Sequence, residues 1–95
     1  MSNERRGVLL IVDDDAINRA ILEEIFEADY TIEEAENGAE GLEKIFAEPE
    51  RLCAVLLDVV MPVMDGLEVL RRLHREDLLR RLPVFLITAE TGDRV

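Results

Sequence analysis

Three carboxylates in a row, Asp13, Asp14 and Asp15, follow an apolar run at positions 8–12, and a fourth, Asp58, follows another at 53–57. A hydroxyl, Thr88, follows a third at 84–87. Packing explains such placement poorly, because an unpaired buried carboxylate is costly. Two carboxylates about 4 Å apart repel by roughly 4 kcal/mol at an effective dielectric of 20, so a cluster of them requires bound protons or a cation. An oxygen-only donor set favours Mg²⁺, which keeps several waters and often shares its site with phosphate. A carboxylate beside Mg²⁺ is able to attack phosphorus and carry an aspartyl phosphate. The metal and a hydroxyl donor would then neutralise the equatorial oxygens. The plainer role for an aspartate here is a helix N-cap, and Asp15 is expected to have only that role. The same role is open to Asp58, as a loop residue capping the helix that follows it.

Bringing these groups together requires strands that deliver them to one rim. The runs 8–12 and 53–57 lack polar alternation, as strands buried on both faces do. After Asp58 the chain breaks at Met61-Pro62 and again at Asp65-Gly66. Between the runs, 16–28 reads as a helix with Ile17, Ile21 and Ile25 at four-residue spacing and Ala20, Leu22 and Phe26 alongside, most of this broad arc being expected in the core and its N-terminal end, beside the acids, being open to a partner. Residues 30–35 read as a more polar strand near a sheet edge. A turn at Asn37-Gly38 opens a helix over 39–47 with Leu42, Ile45 and Phe46 inward, which Gly41 weakens by up to about 1 kcal/mol relative to Ala. Leu67, Leu70 and Leu73 mark one side of a helix over 67–74, and 78–82 extends it or leads onward. The order strand, helix, strand, helix, strand, helix, strand implies a parallel sheet with helices on both faces. Ligands bind such sheets at the carboxyl ends of the strands.

Ninety-five residues allow one small domain. Eleven basic against 22 acidic side chains leave a net charge of −11. So negative a surface repels nucleic acid and anionic membranes, so direct binding to either is not expected. Cys53 is the only cysteine, which excludes a disulfide framework, and it is expected to be a small core residue. His74 is the only histidine and lies among Arg71, Arg72, Arg75 and Glu76, where it lacks companion ligands. No apolar stretch approaches the roughly 20 residues that span a bilayer, and none resembles a signal peptide. A cytoplasmic location is expected.

The residues Val8 to Asp14, the D-x-x-M-P-x-M-D-G pattern from Asp58 to Gly66, and Thr88-Ala89 after the fourth strand resemble the receiver domain of bacterial two-component response regulators. The resemblance runs from about Val8 to the end of the chain. It implies a flavodoxin-like α/β fold, a doubly wound parallel sheet of strand order 2-1-3-4-5. It implies that Asp58 accepts a phosphoryl group from the phosphohistidine of a sensor histidine kinase or phosphotransfer protein. Asp14 and Asp58 would bind Mg²⁺ directly, Asp13 mainly through water, and the Val60 backbone carbonyl would be a further ligand. Thr88 would hydrogen-bond the phosphoryl group and couple it to an output surface. The domain would act as a conformational switch rather than a turnover enzyme. Val60 and Glu90, two residues after Asp58 and Thr88, would tune hydrolysis through water access.

Such domains continue through a fourth helix, a fifth strand ending in lysine, and a fifth helix. The sequence lacks that lysine, since Lys44, its only one, falls in the second helix. Residues 1–95 are therefore expected to form a single receiver domain truncated after the fourth strand. The apolar edge from Val84 to Thr88 would be open to a homodimer or swapped partner. Two other readings compete. An aspartate-nucleophile phosphatase of the haloacid dehalogenase type would use Asp13 as nucleophile and Asp15 as acid, but leaves the MPVMDG turn unexplained. A receiver-like interaction module that is never phosphorylated would not require the full set Asp13, Asp14, Asp58 and Thr88.

Overall fold

The computed structural model describes residues 6–61 and 63–87. Four strands alternate with three helices: β1 (Val8–Val12), α1 (Ala16–Phe26), β2 (Thr31–Ala35), α2 (Gly38–Ala47), β3 (Leu52–Asp58), α3 (Gly66–Arg75) and β4 (Val84–Ile87). A 3₁₀ turn, Pro49–Arg51, leads from α2 into β3. The strands form one parallel sheet in the order β2-β1-β3-β4, the first four positions of the expected order. Among the described residues no helix is long and apolar enough to cross a membrane.

Alternating side chains along β1 explain its uninterrupted apolar run. Leu10 and Val12 point to one face, where they pack with Val55, Leu57, Leu42, Ile45, Val69 and Leu73 under α2 and α3. Leu9 and Ile11 point to the other, where they join Leu56 under Leu22 and Phe26 of α1. β1 and β3 are interior strands and carry the two buried acids at their carboxyl ends. β2 lies at one edge, as its polarity predicted. Gly41 costs α2 helix propensity for a packing reason. A β-carbon there would stand 3.0 and 3.1 Å from the Val12 methyls, so glycine lets α2 lie close on β1.

Each helix begins with a side-chain cap. Asp15 accepts from Ile17 N, Asn37 from Glu40 N and Asp65 from Glu68 N. Asp15 therefore has its expected role. α1 stops at Phe26, short of Ala28, and the chain turns through Glu27 to Tyr30 before β2 begins at Thr31. Residues 78–82 form turns rather than continuing α3, but Leu78 and Leu82 are buried beneath them.

Of the broad apolar arc of α1, the Leu22 and Phe26 part packs on the sheet as expected, but the isoleucine row does not. Ile17, Ile21 and Ile25 are 71%, 50% and 59% exposed. The row one residue further on, with Leu22 and Phe26, meets the sheet instead. One residue is about 100° of helix rotation, and two apolar rows at the same spacing leave the sequence no means of choosing between them. Phe46 and Leu67 are likewise exposed, while Ile45 and Val69 take the inward positions. Cys53 is half-buried rather than in the core. It lies against Gly7, where a β-carbon would stand 3.2 Å from its own.

Candidate functional site

Adjacent parallel strands place their last residues side by side. Val12 pairs with Leu57 in register, so the residues that follow them, Asp13 and Asp58, come out together at the rim. Carboxylate oxygens of Asp13, Asp14 and Asp58 all lie within 4.8 Å of one another. Asp13 is 2% exposed and Asp58 3%, while Asp14 faces solvent. The cluster thus has a buried floor of two acids and one exposed acid at its mouth.

The backbone at the strand ends is held in place from several sides. Asp13 N–H donates to the Ala35 carbonyl of β2 at 3.1 Å, and Asp13 Oδ1 accepts from Asp15 N at 2.9 Å. On the other side of the rim, Val59 N–H donates to Ile87 O at 3.1 Å, and Gly66 N–H donates to Val59 O at 2.9 Å. Asp58 Oδ1 accepts from Val60 N at 3.3 Å. Val63, 82% exposed, adopts φ +70°, a costly conformation for a β-branched residue, in the loop between the acid and α3.

Burial is the chief cause that raises the pKa of the Asp58 carboxyl above its ordinary value, making it a weaker acid, and the charges of Asp13 and Asp14 add to the rise. The bond from Val60 N–H opposes the rise. A carboxylate so placed gains from a cation among its oxygens. The donor set contains oxygen alone, and the open mouth at Asp14 leaves room for water, as a hard divalent ion requires.

The structure brings together three of the residues singled out from the sequence, Asp13, Asp14 and Asp58. Val60 lies at the rim, 73% exposed. Thr88 and Glu90 fall outside the described residues. Lys44 lies on α2, as expected, and donates to the Glu34 carbonyl at 2.9 Å. His74 is exposed on α3, as expected. Sequence reading gave no role to Arg19 or to the close approach of Gly66. Arg19 Nη1 donates to the Asp13 carbonyl at 2.6 Å, and a β-carbon at Gly66 would stand 2.4 Å from the Asp58 carbonyl oxygen. Only the Asp-Gly pair hinted at the second, and nothing in the sequence marked the first.

The chain and its fold are similar to known proteins. The chain is 40% identical over 87 residues to the transcriptional regulatory protein AfsQ1 of Streptomyces coelicolor, covering 92% of this chain and 36% of that one. It spans well under half the length of the curated relatives it matches first. Its fold superposes with TM-score 0.81 on the CheX-CheY-BeF₃-Mg²⁺ complex from Borrelia burgdorferi, at 29% identity over 95% of this chain and 66% of that one. The response regulator TrrA of Thermotoga maritima, solved with Mg²⁺-BeF, gives TM-score 0.78 at 35% identity, covering 93% of this chain and 74% of that one. The model of the response regulator receiver domain matches residues 9–95, and the chain belongs to that family.

Proposed function

We propose that this domain accepts a phosphoryl group on Asp58 in a Mg²⁺-dependent step and serves as a conformational switch in two-component signalling. The observation that carries the reading is the convergence of Asp13, Asp14 and Asp58 within 4.8 Å at the ends of two interior strands. Asp14 and Asp58 would hold Mg²⁺ directly, with Asp13 mainly through water and the Val60 carbonyl as a further donor. When bound, Mg²⁺ supplies positive charge against the phosphoryl oxygens. Asp58 Oδ attacks phosphorus as the P–N bond of a phosphohistidine breaks, and the imidazole nitrogen keeps the electron pair and takes up a proton. Burial makes Asp58 a better nucleophile than a fully hydrated carboxylate, because less water must be stripped from it. Thr88 would donate a hydrogen bond from its hydroxyl to the phosphoryl group.

The phosphodonor is a sensor histidine kinase or phosphotransfer protein, and output belongs to segments or partners beyond this domain. A second contact is proposed at the β4 edge, between copies of the chain. Phe85 and Leu86 are 56% and 45% exposed. Phe85 also lines an open groove of about 410 Å³ with Leu9, Phe26, Tyr30, Ala54 and Leu56. Leu86→Lys is expected to shift the chain toward monomer on size exclusion, and an unshifted profile rejects the edge.

The phosphoryl reading is tested with a small phosphodonor, Mg²⁺ and intact mass. One acid-labile phosphoryl group is expected on the wild type and none on Asp58→Asn. A label that persists in Asp58→Asn but vanishes in Asp13→Asn transfers the assignment to the phosphatase-type nucleophile. No label at all favours a pure interaction module.

A further inference from the structure

Arg19 lies at the end of the first turn of α1, on a helix whose other charged residues are acidic, and its side chain is only 15% exposed. It reaches back over the end of β1. Nη1 donates to the Asp13 carbonyl at 2.6 Å, and Nε donates to Glu34 Oε1 on β2 at 2.8 Å. Glu34 is held in turn by its backbone carbonyl, which accepts from Lys44 Nζ at 2.9 Å. The guanidinium is thus braced on one side and bonded to the acid segment on the other, a two-ended arrangement suited to its rigid fork of donors.

Three successive peptide planes run through the acid segment. The plane joining Val12 to Asp13 is tied to β2 by the bond from Asp13 N–H to the Ala35 carbonyl. The plane joining Asp14 to Asp15 is tied by the bond from Asp15 N–H to Asp13 Oδ1. The middle plane carries the Asp13 carbonyl and the Asp14 N–H, and among the described residues Arg19 is the side chain that holds it. Because the peptide is planar, fixing the carbonyl direction also fixes the Asp14 N–H, and with it the point from which the Asp14 side chain leaves the backbone. Asp14 is the exposed member of the cluster and lacks the packing that immobilises Asp13 and Asp58.

We propose that Arg19 is a positioning residue for the acid cluster, acting through the Asp13 carbonyl to fix Asp14 and so raise the affinity of the cluster for Mg²⁺. The proposal rests on the reading of the cluster as a Mg²⁺ site. It opposes the simpler electrostatic expectation, in which a nearby cation competes with the metal and its removal tightens binding.

Two measurements on the full chain test it. Calorimetric Mg²⁺ titration of Arg19→Met is expected to show affinity weakened about tenfold, with Arg19→Lys recovering part of the loss because one ammonium cannot hold both acceptors. Unchanged or tighter binding by Arg19→Met overturns the proposal, even if its melting temperature falls. The second measurement needs no metal. The ¹⁵N order parameter of the Asp14 amide is expected to fall from about 0.85 toward 0.6 in Arg19→Met, with Leu10 and Leu57 unchanged. An unaltered Asp14 value overturns the clamp. A wild type that binds no Mg²⁺ defeats the metal reading and the affinity claim together, while the order parameter still decides whether Arg19 holds Asp14. If Arg19→Met does not fold, Glu34→Gln slackens the brace and carries both readouts with the same signs.

Discussion

Gly66 lies directly against the carbonyl of Asp58: a β-carbon at Gly66 would stand 2.4 Å from that oxygen and 2.9 Å from Val59 Cα. Both obstacles are backbone, so no flexible side chain is available to give way. The first turn of α3 is thereby seated on the strand end that carries the central acid. Gly66→Ala is expected to push the two apart, destabilising the domain by about 1–3 kcal/mol, as overpacking does. It should also slow phosphorylation of Asp58. Urea denaturation and a labelling time course measure the two effects, and a variant matching wild type in both would show that the loop absorbs the methyl group freely.

The raised pKa of Asp58 gives a definite pH signature without metal. Its folded-state value lies above the unfolded one, which is about 3.9, so protonation favours the fold. That contribution is fully present below about pH 4 and is lost as pH rises through the folded value. In EDTA, Asp58→Asn is expected to melt above wild type at pH 7, and the gap should close on acidification toward pH 4. Melting curves over that range check the sign, and a variant less stable at neutral pH would contradict it.

Metal binding should appear as stabilisation. A ligand that binds only the folded state adds RT ln(1 + [L]/Kd), about 2.7 kcal/mol at a hundredfold excess over Kd. Mg²⁺ is expected to raise the melting temperature of wild type and to leave Asp14→Ala almost unmoved. Identical wild-type curves in EDTA and in excess Mg²⁺ would count against the site.

Val60 stands at the rim, 73% exposed, with an apolar side chain that offers attacking water no hydrogen bond. Val60→Asn is therefore expected to shorten the life of the phosphorylated form severalfold. Decay of labelled protein after donor removal measures this directly. Equal half-lives would place control of hydrolysis elsewhere.

The sequence determined the strands, their parallel arrangement and the acids at their ends. Five apolar residues running into Asp13, and five more into Asp58, specify strands buried on both faces. Right-handed crossovers between such strands then carry the acids to one rim. The caps were partly legible as well, since Asp15 and the Asn37-Gly38 turn are local signals needing only their neighbours.

Tertiary structure decided what depends on rotation and close approach. The isoleucine row of α1 and the row containing Leu22 and Phe26 share one spacing, and only docking on Leu9, Ile11 and Leu56 selected the second. The fit of Gly66 to Asp58 depends on how the loop through Val63 brings α3 back to the strand end, a distance no local pattern encodes. Arg19 read as one more charge on a helix surface. Its bond to the Asp13 carbonyl exists because α1 lies over the end of β1, while β2 holds Glu34 within reach of the same guanidinium. Periodicity and residue type fix which segments form and what they carry; contacts between segments distant in sequence arise only once the sheet has set their spacing.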